Sequence, residues 1–226
     1  MHVVLIGATG VTGKAVFGKM LENKLVSKVT LIGRRKIPDA LKKSAAAKSS
    51  DSTLTQTQIE QMVFPSLGSE HLQTLSLEAD VFICCLGTTI KSAGSKKAFE
   101  RIDLELVYAF GELAKRGNCK AFFVVSAKGA NEKSLIHYSR VKGSVEKLLR
   151  SLHLNSLYIL RPGLLIAERS ESRPLEFLGV KTFRALKLVL PQNLMSKMGT
   201  YPEEIADYIS RKMECPEKGV HEVEHF

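Results

Sequence analysis

The sequence has no apolar run long enough to cross a membrane. A spanning helix needs about 18 or more consecutive apolar residues, and runs such as Val81-Phe82-Ile83-Cys84-Cys85-Leu86 stop far short of that. A disulfide framework is excluded as well. The four cysteines are Cys84, Cys85, Cys119 and Cys215, and the first two are adjacent inside an apolar run, where neither a bridge nor a Cys-x-x-Cys metal site fits. No metal is expected, and a reducing, cytoplasmic compartment is. A cleavable leader is not expected either, because a core strand begins at residue 2. Basic residues outnumber acidic ones, giving a net charge of +10. The lysines are scattered and not interleaved with aromatics, so nucleic acid is not the expected partner. With 226 residues, the chain can bury a core as one α/β domain without cross-links.

What is there begins at once. Val3-Val4-Leu5-Ile6 reads as a strand buried on both faces of a parallel sheet. Gly7-Ala8-Thr9-Gly10-Val11-Thr12-Gly13 follows, and then a helical apolar stretch through Val16, Phe17, Met20 and Leu21. Strand, glycine-rich turn and helix in direct succession is the context that makes a glycine pattern a dinucleotide site. Gly7 allows the tight turn, Gly10 lets backbone approach a pyrophosphate, and Gly13 lets the helix pack on the strand. The first N–H groups of the helix, around Thr9, Val11 and Thr12, face the phosphates.

One more absence is informative. A second strand, about Lys28 to Ile32, ends in Gly33-Arg34-Arg35-Lys36. An NAD site normally offers a carboxylate here to the ribose 2′-hydroxyl. Two arginines stand in its place, and guanidinium pairs with a 2′-phosphate through charge-assisted bonds. The expectation is therefore NADP(H) over NAD(H).

Further on, residues 39–58 show no apolar period and read as a loop or a short helix without a core face. A third strand is expected near Met62 to Phe64, and a helix from Ser69 to Leu77. Asp80 to Gly87 reads as a fourth strand and its turn, the strand's end lying beside that of the first, at the switch in strand order where cofactors bind. Cys85, Leu86, Gly87 and Thr88 are thus candidates for cofactor contact. A long helix follows at 96–116, with Phe99, Ile102, Leu106, Ala109, Phe110 and Leu113 on one face. It also offers a surface for pairing across a homodimer axis. Ala121 to Val125 is a fifth strand, with Ser126 at its carboxyl end.

Tyr138 and Lys142 form Y-x-x-x-K. A helix there puts both on one face, one turn apart. An ammonium about 4 Å from a phenol oxygen, at an effective dielectric near 20, favours the phenolate by up to ~4 kcal/mol. A tyrosine so tuned passes a proton to or from an alcohol oxygen while a nicotinamide carries the hydride. Ser126 is expected to hold the carbonyl oxygen. A sixth strand, Ser156 to Leu160, leads into Arg161-Pro162-Gly163-Leu164, where Pro162, Gly163 and Leu164 suit a wall for the nicotinamide. An insertion at about 170–198 carries an amphipathic basic stretch at 174–190, expected to be a helical lid over the substrate side. A helix from Pro202 and a seventh strand from Val220 close the chain.

These motifs resemble a short-chain dehydrogenase/reductase. More closely, Leu31-Ile32-Gly33-Arg34-Arg35, Cys84-Cys85-Leu86-Gly87-Thr88-Thr89, Lys128-Gly129-Ala130, Arg161-Pro162-Gly163 and Glu171-Ser172-Arg173-Pro174 are similar to the HIV Tat-interactive-protein-like oxidoreductases, an atypical NADP(H)-binding subgroup. The resemblance covers residue 2 to about 175. It implies a Rossmann fold, NADPH binding and a Ser/Tyr/Lys triad carried onto Ser126, Tyr138 and Lys142. The chain departs from typical members in one place: Cys85-Leu86-Gly87-Thr88 replaces their Asn-Asn-Ala-Gly turn.

The sequence thus points to a single doubly wound parallel sheet with a small helical lid near the C-terminus. The expected function is an NADP(H)-dependent oxidoreductase acting on a small carbonyl or alcohol. A second reading stays open, a redox-sensing regulator that binds NADP(H) with little turnover and signals to a protein partner.

Overall fold

A computed structural model describes residues 1–37, 57–166 and 199–226. Strand β1 (His2–Ile6) lies in the interior of a sheet, its four apolar residues buried on both faces. It pairs in parallel with β2 (Lys28–Gly33) on one side and β4 (Val81–Cys84) on the other. Outward from these run β3 (Gln58–Val63), and then β5 (Ala121–Val125), β6 (Ser156–Leu160) and β9 (Gly219–Val223). The order is β3-β2-β1-β4-β5-β6-β9, all parallel. A separate parallel pair joins β7 (Leu164–Leu165) to β8 (Gly199–Thr200). This is the doubly wound Rossmann arrangement expected.

Alternate residues of the strands feed two cores. Val3, Leu5, Val29, Leu31, Val81, Ile83 and Phe123 face α1 (Val11–Glu22) and α7 (Pro202–Glu214). Val4, Ile6, Ile32, Phe82, Cys84, Phe122 and Val124 face the other layer, built from α2 (Ser69–Thr74), α5 (Val107–Arg116) and α6 (His137–Ser151). Each fully buried Val, Leu or Phe is worth roughly 1.5–3 kcal/mol of transfer free energy. Tyr158 clamps the last strand: its ring stacks at 4.6 Å on both Phe123 and His221, and its hydroxyl accepts the Glu217 N–H at 2.8 Å.

Two expectations change. β3 begins at Gln58, inside the stretch read as a loop, because an edge strand with alternating exposed polar residues lacks an apolar run. The helical run at 96–116 is continuous but not uniform. α4 (Lys96–Glu100), preceded by the short α3 (Ile90–Ala93), passes into a π-wound segment, Arg101–Leu106, before α5. The wider turn shifts the register, so the buried residue is Asp103 rather than Ile102. The helical lid expected within about 170–198 lies outside the described residues, as does nearly all of the 39–58 stretch.

Candidate active site

The carboxyl ends of β1 and β4 meet where strand order reverses. Gly7 has φ +87°, and a Cβ there would lie 2.6 Å from the carbonyl carbon of Cys85. The two strand-end turns are therefore packed backbone on backbone, with the Cys85 N–H donating to Ile6 O at 2.9 Å. A Cβ on Gly13 would fall 2.1 Å from Gly7 O, so α1 sits directly on the turn. Gly10 precedes α1 without a side-chain cap, and Thr9 and Gly10 are exposed. The N–H groups of Val11, Thr12 and Gly13 in the first turn are left for an external acceptor. Arg34 and Arg35 are exposed just beyond β2. Gly87 is exposed after β4, flanked by partly buried Leu86 and Thr88. These residues could hold a nicotinamide dinucleotide, the uncapped first turn of α1 offering donors to its phosphates.

Tyr138 and Lys142 lie on α6 one turn apart. Val141, Val145 and Leu149, also four residues apart, bury the adjacent stripe against the sheet. Tyr138 is partly buried and packs on Phe99 at 5.6 Å between ring centroids. Lys142 is 3% exposed, and its Nζ is 2.8 Å from Asp103 Oδ1. Burial pushes the lysine pKa down. The Asp103 carboxylate, with Tyr138 acting in the same direction, outweighs burial, and the net shift is upward. The lysine is thus an ammonium with a counter-ion, not the bare charge that Y-x-x-x-K suggests alone. Asp103 Oδ2 accepts the Thr88 N–H at 3.0 Å, linking the pair to the turn after β4.

Ser126 is placed differently from expectation. It is 6% exposed, and its hydroxyl donates to Glu146 Oε1 at 2.5 Å. Glu146 is two helical turns beyond Tyr138, about 12 Å along the axis. A hydroxyl has one proton, so in this arrangement Ser126 has none to give a carbonyl oxygen. Glu146 is itself held by Arg161, through Nη2 at 2.5 Å and Nε at 3.2 Å. Arg161 also pairs with Glu222, and Arg150 reaches Glu222 at 2.6 Å. Ser126 thereby belongs to a clamp joining α6, β6 and β9. At the far wall the Lys128 N–H donates to Pro162 O at 2.9 Å and the Gly163 N–H to Thr200 Oγ1 at 3.2 Å. Leu164 is exposed.

Sequence reasoning missed Asp103 and Glu146. A lone acid inside an apolar helical face was the only signal for the first, and the Tyr-Lys-Glu spacing of four along α6 for the second.

Protein HTATIP2 of Rattus norvegicus is 38% identical over 192 residues, covering 81% of this chain and 71% of its own. The chain belongs to the HTATIP2 family. Emericella nidulans fmp52, named a mitochondrial protein, is a further relative, 33% identical over 175 residues that cover 77% of this chain and 71% of its own. The fungal relatives overturn the cytoplasmic expectation, since several carry mitochondrial in their names. The cysteine pattern behind that expectation tells reducing from oxidising surroundings and does not separate compartments.

No family model matches. Among solved structures, a short-chain dehydrogenase/reductase from Serratia marcescens superposes with a TM-score of 0.67 at 12% identity, covering 99% of this chain and 95% of that one. MoeE5 in complex with UDP-glucose and NAD gives 0.67 at 13% identity, over 100% and 76%. At such identity the likeness concerns the fold. Within the HTATIP2 family, then, this chain carries a dinucleotide-type sheet with a Tyr-Lys pair at its switch point.

Proposed function

We propose that the protein is an NADP(H)-dependent oxidoreductase that moves hydride between nicotinamide and a small carbonyl or alcohol. One observation carries the reading: the Lys142 ammonium is seated beside Gly87 and Thr88, one turn from Tyr138, at the strand ends where the uncapped α1 turn gathers. The bound nicotinamide supplies or accepts the hydride. Tyr138 gives its hydroxyl proton to the carbonyl oxygen in reduction and takes one from the alcohol in oxidation. Lys142 sets the charge beside that phenol and reaches the nicotinamide ribose. Arg34 and Arg35 favour a 2′-phosphate. The mitochondrial names of the fungal relatives extend to this chain as a proposed residence.

The test is Tyr138→Phe, which removes only the hydroxyl. Fold and cofactor affinity are expected to persist, while NADPH oxidation with a panel of aldehydes, ketones and quinones falls ~10²-fold or more. Undiminished turnover in the variant refutes the assignment.

The commitment of Ser126 to Glu146 favours a second reading. A site without that donor suits a sensor, in which NADP(H) occupancy tunes affinity for a protein partner and Tyr138→Phe changes nothing. Partner binding that is indifferent to NADPH excludes it.

A further inference from the structure

A buried ion pair lies under the turn that follows β4. Asp103 is fully buried and Lys142 nearly so, with Nζ 2.8 Å from Oδ1 and the Thr88 N–H on Oδ2. A Cβ built on Gly87 would sit 3.9 Å from both Oδ1 and Nζ. The pair is thus directly beneath an exposed glycine of the cofactor edge. Asp103 reaches this place through the π-wound Arg101–Leu106 segment. Phe99 and Leu106 on either side face the core, and the wide turn aims a carboxylate inward between them. Such turns weaken helical hydrogen bonding and recur at functional sites.

A buried pair is weak evidence for stability, since apolar replacements of equal volume often do as well. What it supplies here is a charge in a fixed place. We propose that Asp103 is a positioning residue, the counter-ion that seats the Lys142 ammonium under Gly87 and leaves two of its three N–H donors for the cofactor ribose and Tyr138. What those two donors meet rests on the oxidoreductase reading; the seating does not.

The groups facing Lys142 come from three elements. Asp103 stands on the π-wound segment, Tyr138 on α6 itself, and Cys84 at the end of β4. Burial pushes the Cys84 thiol up to about 12, so it carries no charge in the neutral range. His137 and Glu100, 3.5 Å apart, stand at the rim beside Phe99. Among the described residues the counter-charge in contact with Lys142 is that of Asp103.

The experiment compares Asp103→Asn with the wild type by thermal melting from pH 6 to 9.5. Asparagine keeps the shape and an oxygen for the Thr88 N–H but removes the charge. Desolvation, the largest single influence on Lys142, then loses its main opponent and lowers the folded-state pKa below its unfolded value. The unfolded chain binds more protons, so the variant gains stability as pH rises. In the wild type the folded pKa is raised. Its contribution is complete below the unfolded value of about 10.4 and is lost as pH climbs through the folded one.

The variant is therefore expected to melt about 10 °C below wild type at pH 6, with the gap closing by half or more at pH 9.5. A gap independent of pH means that Asp103 merely fills space and holds Thr88, and overturns the proposal. Should Asp103→Asn fail to fold at pH 6, Asp103→Asn with Lys142→Met removes both charges and is expected to fold and melt higher. A double variant no more stable than the single overturns the proposal.

NADPH titration separates this inference from the reading beneath it. Wild type without affinity for NADPH refutes the oxidoreductase reading, whatever the melting curves show. If wild type binds, Asp103→Asn is expected to bind at least ten-fold more weakly. Equal affinity overturns the positioning role.

Discussion

Two glycines on α1, five residues apart, should respond to alanine in opposite directions. At Gly13 the added methyl would stand 2.1 Å from Gly7 O and 2.8 Å from Ala8 Cα. Both are backbone atoms of the turn, so no rotamer change relieves the clash. The start of α1 must lift off β1 by about an ångström to restore ordinary contact. Overpacking of this kind costs about 2–3 kcal/mol, or a fall in melting temperature of about 4–12 °C for a chain of this size. At Gly18 nothing lies within 4 Å of the added atom, and the position is mid-helix. Alanine there removes backbone freedom from the unfolded chain and gains about 0.5–1 kcal/mol, a rise of about 1–4 °C. NADPH titration of the same proteins adds a second readout. Lifting α1 moves the N–H groups of Val11 and Thr12, so Gly13→Ala is expected to lose affinity at least ten-fold while Gly18→Ala keeps it. Melting curves that fall equally for both, or a Gly13→Ala protein with wild-type affinity, refute the close packing of helix on turn.

The thiols give a second check. Burial pushes Cys84 and Cys119 up to about 12 and Cys85 upward too, whereas Cys215 is exposed. Since thiolate is the reactive form, a disulfide reagent at pH 8 should modify Cys215 rapidly, the partly exposed Cys85 more slowly, and Cys84 and Cys119 only after unfolding; fast modification of either of the last two contradicts their burial. For cofactor choice, Arg34→Asp with Arg35→Ala is expected to weaken NADPH by ~2 kcal/mol, about 30-fold, and NADH little. Calorimetric titration decides, and equal losses for both cofactors refute the 2′-phosphate role.

Legibility followed the length scale of the signal. The β1-turn-α1 unit was readable because each glycine answers a local steric demand, and the central strands because burial on both faces needs unbroken apolar runs. The third strand was expected near Met62, but its start at Gln58 escaped because an edge strand is half solvated, and Gln58, Glu60 and Gln61 look like loop. In the site, Tyr138 and Lys142 were readable from a helical period alone. Their surroundings were not. Whether Lys142 meets a carboxylate depends on a helix winding that puts Asp103 inward where the regular period puts Ile102. Whether Ser126 is free depends on Glu146 and Arg161, twenty and thirty-five residues away in sequence. Local pattern names the groups able to do chemistry, and tertiary packing decides which of them are already occupied.

The helix behind the glycine turn is braced from the far end of the chain. Val16, Phe17 and Met20 share a core with Ile205, Ile209 and Met213. Lys19 pairs with Asp207 at 2.7 Å, and the Asn23 amide donates to Ser210 and Glu214, the former 187 residues away in sequence. During synthesis at ~5–20 residues per second, α1 waits roughly ten to forty seconds for that partner. Throughout that interval one of the chain's earliest helices carries an uncovered apolar face. Until α7 is made, that face is open to chaperones and to misassociation, and the docking of α7 closes it.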